Sequence, residues 1–156
     1  MFARIVKQQL RKGFQQISSG NFDALLQGFA PDVIFTFAGT SALGADVRGR
    51  EAVRTWFERI HRLFPDLNIE ATDIRVAGTP IRTAVTARFR VGATLPDGTR
   101  YENSGVQILT LRMGVVVEDH LMEDTLILQR ALERLAALGN ADASAAPFRQ
   151  PSSRAA

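Results

Sequence analysis

The chain has 156 residues, 46% of them hydrophobic and 22% charged, with a formal net charge of +3. That balance suits one globular domain able to bury a core. It offers no run of about 18 apolar residues for a membrane span and no cysteine for disulfide or thiolate chemistry. Its arginines are scattered rather than gathered into a basic stripe for nucleic acid.

Neither a membrane nor a nucleic acid is therefore an expected partner. The first residues, Met1-Phe-Ala-Arg-Ile-Val-Lys, lack the apolar core of a signal peptide. A cytoplasmic location is the simplest expectation.

Residues 3–18 predict a helix, with Val6, Leu10, Phe14 and Ile17 on one stripe. Ser18-Ser19-Gly20 ends it. Asn21 is placed to cap a second helix whose buried side is Phe22, Leu25, Leu26 and Phe29, and Pro31 is expected to stop that helix. Val33–Phe37 reads as a short strand with Val33, Phe35 and Phe37 on one face. Residues 38–50 show no period and are expected to be loop. A third helix follows at about 50–64, where Val53, Trp56, Phe57, Ile60, Leu63 and Phe64 make a wide apolar face. His61 sits at the edge of that face.

The period then changes to two. Strands are predicted at 67–77, 81–94, 99–112 and 114–124, separated by the turn signals Gly78-Thr79-Pro80, Pro96-Asp97-Gly98 and Met113-Gly114. A last helix, about 125–138, carries Leu126, Leu128, Ala131, Leu132 and Leu135. The Ala-, Ser- and Pro-rich stretch 139–156 has no period and reads as a disordered tail. The expectation is one domain over 1–138. Its class is α+β: a cone-shaped curved antiparallel sheet wrapped around three N-terminal helices, with a C-terminal helix.

The chemistry gathers at the final hairpin. Alternation sends Asp119, Leu121 and Glu123 to one face of the last strand, and Glu118, His120, Met122 and Asp124 to the other. Strand 99–112 puts Tyr101, Asn103, Gly105, Gln107 and Leu109 on one face. If the face of Asp119 is the inside of a cup, two carboxyl groups enter an apolar cavity. Burial there would raise their pKa toward the range a general acid or base needs. Asp119 and Glu123 would stand about 13 Å apart along the strand, too far for a shared-proton pair. Gln107 is a candidate donor to an oxyanion and a candidate cross-strand neighbour of Asp119. Asp124 is either a further candidate acid or the cap of the last helix.

The order of elements resembles the nuclear transport factor 2-like superfamily, and most closely its SnoaL-like polyketide cyclase branch. Four stretches carry the resemblance: Gly20-Asn-Phe-Asp-Ala-Leu-Leu26 followed by Ala30-Pro-Asp32; Gly49-Arg-Glu-Ala-Val53 followed by Phe57 and Phe64-Pro-Asp-Leu67; Asp97-Gly-Thr-Arg100; and Gly114-Val-Val-Val-Glu118 with Asp124. It covers roughly residues 5–136 and implies a cone with its pocket at the open end. Ketosteroid isomerases of this superfamily carry a carboxylate base where this chain has Phe37. Limonene-epoxide hydrolases carry an aspartate where it has Leu121. The cyclase branch implies instead a carboxylate near the end of the last strand, Glu123 or Asp124 here, helped from the position of Gln107.

The candidate catalytic set is thus Asp119, Glu123, Asp124 and Gln107. The candidate substrate-binding set is Phe35, Phe37, Trp56, Phe57, His61, Asn103 and Leu121. Only two histidines exist, His61 and His120, at no zinc-motif spacing, and no metal or other cofactor is expected. The expected ligand is a small apolar carbonyl-containing molecule, processed by acid–base chemistry of the cyclase or isomerase type. The other reading is a non-catalytic binding or dimeric assembly module of the same fold. A homodimer is expected under either, across the sheet face that carries Thr86, Arg88, Val106 and Ile108.

Overall fold

A computed structural model describes residues 1–150. In chain order the elements are α1 (Phe2–Ser19), α2 (Phe22–Leu26), β1 (Phe29–Phe37), β2 (Ala45–Arg48), α3 (Arg50–Leu63), β3 (Asn68–Gly78), β4 (Thr83–Thr94), β5 (Arg100–Arg112), β6 (Val115–Glu123) and α4 (Thr125–Ala137). A short 3-10 turn (Ala141–Ser144) and β7 (Phe148–Arg149) follow. The strands form one curled, unclosed sheet in the order β3-β4-β5-β6-β1-β2-β7. β3 to β6 pair antiparallel, and so do β1 and β2. β1 lies parallel to β6, and β7 parallel to β2.

Apolar periodicity explains the helices. α1 buries Val6 and Phe14, and Phe14 meets Phe89 of β4 edge-on at 6.1 Å. Gly20 ends α1 in the left-handed region, which returns its N–H to Gln16 and Ile17. α3 buries Val53, Trp56, Phe57, Ile60 and Leu63 against the inner face of the sheet. Along β4 the burial alternates strictly, with Val85, Ala87, Phe89 and Val91 inside. Bulges at Thr72 in β3 and at Val117 in β6, opposite Thr110–Leu111 of β5, increase local twist and help curl the sheet over the helices. Among the described residues no helix is long and apolar enough to cross a membrane.

Three local expectations change. Pro31 does not follow a helix; it lies inside β1, in the irregular stretch between the Phe29 and Ile34 pairings, where a missing N–H costs no ladder bond. Residues 45–48, expected to be loop, form β2 opposite β1, with Phe37 against Ala45 and Ile34 against Arg48. Four residues are too few for alternation to show. The expected tail from residue 139 is structured through 150. Arg62 pairs with Asp142 at 2.7 Å. Arg59 donates to the carbonyls of Ala42 and Ala146, and its guanidinium lies 3.8 Å over the Phe148 ring. Residues 139–150 therefore cover the β2 edge. The rest of that predicted tail, 151–156, lies outside the described residues.

The β5–β6 hairpin turns at Met113-Gly114, with φ of 50° and 81°. Two consecutive positive φ values define the turn that matches strand twist, and asparagine tolerates the first position better than methionine. Met113 is 73% exposed and packs little. Met113→Asn is expected to stabilise the protein by about 0.5–1 kcal/mol. Urea denaturation would measure this as a raised midpoint at unchanged slope.

The outer sheet face carries the exposed side chains of Ile34, Ile108 and Met122. Thr86 and Arg88 lie on the same face.

Candidate functional site

Curling leaves a cavity of about 270 Å³ between α1, α2, α3 and the inner face of the sheet. Its walls are largely apolar: Leu10 and Phe14 from α1, Trp56 and Phe57 from α3, Phe37 and Leu121 from the sheet. Gln9, Lys12 and Gln16 of α1 also border it. Gln9 and Lys12 are exposed, which puts them at its rim.

Asp119 reaches this cavity with no solvent exposure of its own. In β6 it shares the inward face with Leu121 and Glu123, as alternation requires. In β5–β6 register Asp119 stands opposite Leu109, and Gln107 opposite Leu121. Gln107 is thus the diagonal neighbour of Asp119 rather than the directly opposed one. A diagonal step is within reach of a long side chain. Gln107 Nε2 donates to both Asp119 carboxylate oxygens, at 2.9 and 3.1 Å. Burial pushes Asp119 up to about 7, and the Gln107 hydrogen bonds oppose that rise. Gln107 is itself buried, and its Oε1 has no hydrogen-bond partner among the described residues.

Glu123 forms a second acid site. Tyr101 Oη donates to Glu123 Oε2 at 2.5 Å, and Asn103 Nδ2 donates to the same oxygen at 3.3 Å. Asn103 Nδ2 also donates to the Asp124 carbonyl at 3.0 Å. Phe64 stacks on Tyr101, with centroids 4.8 Å apart. Burial pushes Glu123 up to about 7, against the two hydrogen bonds. Tyr101 is pushed up as well, by burial first and then by the neighbouring carboxylate. Removing the Tyr101 hydroxyl removes a group that favours the charged form of Glu123. Tyr101→Phe is therefore expected to move the Glu123 titration further upward, readable by carboxyl carbon NMR. An unchanged or lowered value would mean that the bond does not govern this acid.

The residues selected from sequence separate clearly. Asp119, Gln107, Glu123, Phe37, Trp56, Phe57 and Leu121 all border the one cavity. Asp124 does not. Its carboxylate accepts from the N–H groups of Leu126 and Ile127 and caps α4, because β6 ends at Glu123 and the chain turns there. His61 is exposed and packs edge-on against Phe22 at 5.8 Å, since one turn beyond Phe57 the helix has rotated it off the apolar face. Asn103 is buried but committed to Tyr101, Glu123 and Asp124 rather than to the cavity wall. Phe35 lies one layer behind that wall, packed on Trp56 at 4.9 Å. His120 faces outward, its Nδ1 2.7 Å from Thr36 Oγ1. Tyr101 is the functional candidate that sequence reasoning left out. Its parity with Asn103 and Gln107 was the available signal.

An apolar cavity holding two separate carboxyl groups poised near neutrality can give and take protons without a metal ligand set. Residues 10–119 match the SnoaL-like domain. No curated protein gives a significant match. Solved structures similar to this chain include PrhC from Penicillium brasilianum, at 19% identity with a TM-score of 0.72, covering 89% of this chain and 93% of that one. IdmH from Streptomyces antibioticus, a proposed polyketide cyclase, aligns at 21% identity and a TM-score of 0.68 over 86% of this chain and 99% of its own. Bal32a, from a soil-derived mobile gene cassette, aligns at 20% identity and a TM-score of 0.68 over 80% of this chain and 92% of its own. These likenesses concern the fold; the domain match, across most of the chain, shows that the protein belongs to the SnoaL-like family.

Proposed function

We propose that this protein is an acid–base enzyme of the cyclase or isomerase type, acting on a small apolar carbonyl compound. One observation carries the reading: Asp119, wholly buried in an apolar cavity wall, has Gln107 as its only side-chain partner among the described residues and is poised near pH 7. A carboxyl in that state has both protonation forms populated at neutral pH, which suits proton transfer. As carboxylate, Asp119 takes a proton from the carbon next to the substrate carbonyl. The C–H electron pair moves into the enolate, and the carbonyl oxygen gains negative charge. As carboxylic acid, Asp119 returns the proton to carbon or oxygen. Gln107 holds the carboxylate in place. One of its amide hydrogens is shared between the two carboxylate oxygens. Glu123, four residues on along the same inward face, supplies a second acid at another part of the cavity.

The test is deuterium exchange next to the carbonyl of apolar bicyclic ketones such as β-tetralone, followed by proton NMR in heavy water. The protein is expected to accelerate exchange above the buffer rate, and Asp119→Asn to return it to that rate. Equal acceleration by the variant would remove Asp119 from the chemistry. A buffer-level rate with the unaltered protein across the ketone panel would leave the binding-module reading in place.

A further inference from the structure

The amide of Gln107 has two ends, and only one is used. Its Nε2 faces Asp119 and donates to both carboxylate oxygens. The carboxamide is planar, so Oε1 points away from that pair. Gln107 is 5% exposed, and Oε1 has no hydrogen-bond partner among the described residues. Buried carbonyl oxygens are almost always paired, and an orphan among them calls for an explanation.

Among the described residues no donor bonds to Oε1, and its neighbours in the sheet supply none. The residues directly across from Gln107 are Ala87 on β4 and Leu121 on β6. The diagonal positions on β4 are Val85 and Phe89, and on β6 they are Asp119 and Glu123. The Asp119 oxygens already accept from Nε2, and Glu123 is bonded to Tyr101 and Asn103. What remains beside Gln107 is the cavity.

We infer that Gln107 Oε1 is the acceptor of a ligand hydroxyl, so that the cavity selects an apolar ring compound bearing an O–H group, a phenol or an enol. This reverses the role suggested by the sequence, in which Gln107 donates to an oxyanion. It rests on the reading of this cavity as the substrate site and narrows it. The substrate carries, besides the carbonyl on which Asp119 acts, a hydroxyl held by Gln107.

Three probes of one shape test this by isothermal titration calorimetry: β-naphthol, β-methylnaphthalene and β-methoxynaphthalene. A hydrogen bond to an otherwise unpaired buried acceptor is worth roughly tenfold in affinity. β-Naphthol is therefore expected to bind about tenfold more tightly than the other two. Gln107→Leu keeps the bulk without the acceptor and is expected to erase the preference. Asp119→Asn keeps an acceptor for Nε2 and is expected to retain it.

Equal affinity for all three probes in the unaltered protein overturns the inference, because something else then satisfies Oε1. So does absence of binding by any of them. A preference for β-methoxynaphthalene would put the amide nitrogen toward the cavity, and a preference that survives Gln107→Leu but not Asp119→Asn would make Asp119 the partner. Either result overturns it as well. The unaltered-protein comparison stands even if a variant fails to fold. Binding preference and deuterium exchange are measured separately, so either reading can fail while the other holds.

Discussion

Asp119→Asn is expected to abolish turnover and, at pH 8, to make the protein more stable. Loss of a positioned general acid–base group typically costs two to four orders of magnitude in rate. The stability effect follows from burial. The Asp119 carboxyl rises from 3.8 to about 7 on folding, because desolvation disfavours its charged form. Between those values the folded state binds a proton that the unfolded state has released. Stability is therefore fully present below about pH 4 and is lost as pH rises through about 7. Above that pH the folded protein carries a buried carboxylate, at a cost on the order of 4 kcal/mol at about 1.4 kcal/mol per pKa unit.

Asparagine has nearly the same shape, keeps an oxygen for Gln107 Nε2 and has no charge to bury. Urea denaturation at pH 5 and pH 8 should show the variant ahead of the parent by a margin that is clearly larger at the higher pH. Glu123 is raised for the same reason and keeps part of the slope in the variant. Equal destabilisation at both values would make Asp119 a structural group. Such a gain in stability with loss of activity is the usual signature of a strained functional position.

Gly105→Ala is expected to be among the most destabilising single changes in the chain. Gly105 stands between Phe89 on β4 and Glu123 on β6. A Cβ there would meet the Met122 carbonyl oxygen and would lie 2.5 Å from Phe89 Cζ. The ring could rotate away, but the carbonyl belongs to the β6 backbone and can yield only if the strand moves. Overpacking of this kind costs about 3 kcal/mol or more. The paired residue Glu123 would shift with it, so its hydrogen bond to Tyr101 should weaken too. Adding Phe89→Leu to Gly105→Ala tests the cause. Because the backbone contact is the tighter one, the second change should restore little stability. Substantial recovery would place the clash in the ring instead.

Much of the site was legible because parity is a local property. Alternation alone put Asp119 and Glu123 on one face of β6, and Gln107 and Tyr101 on one face of β5. Alternation does not say how two strands slide past one another. The diagonal reach from Gln107 to Asp119, and the hydroxyl of Tyr101 meeting Glu123, follow from β5–β6 register. The same limit explains Asp124. One residue past the end of β6, it follows the geometry of the next helix rather than the parity of the strand. His61 was ambiguous for a related reason: a residue at the edge of a helical face is placed by how that helix is rotated against its neighbours.

By itself, then, the sequence determined the helices, the four long strands, the Met113-Gly114 turn and the shared face of two carboxyl groups. Each depends on spacing within a short stretch. Only tertiary structure decided the pairing of β1 with β6, the short strands β2 and β7, and the folding back of residues 139–150 over the sheet edge. Those depend on contacts between distant segments, and segments of two to four residues carry too few side chains to show a period. Tertiary structure also decided that Gln107 spends its donor on Asp119 and leaves its acceptor free. That outcome depends on which end of one amide meets a carboxylate across the hairpin.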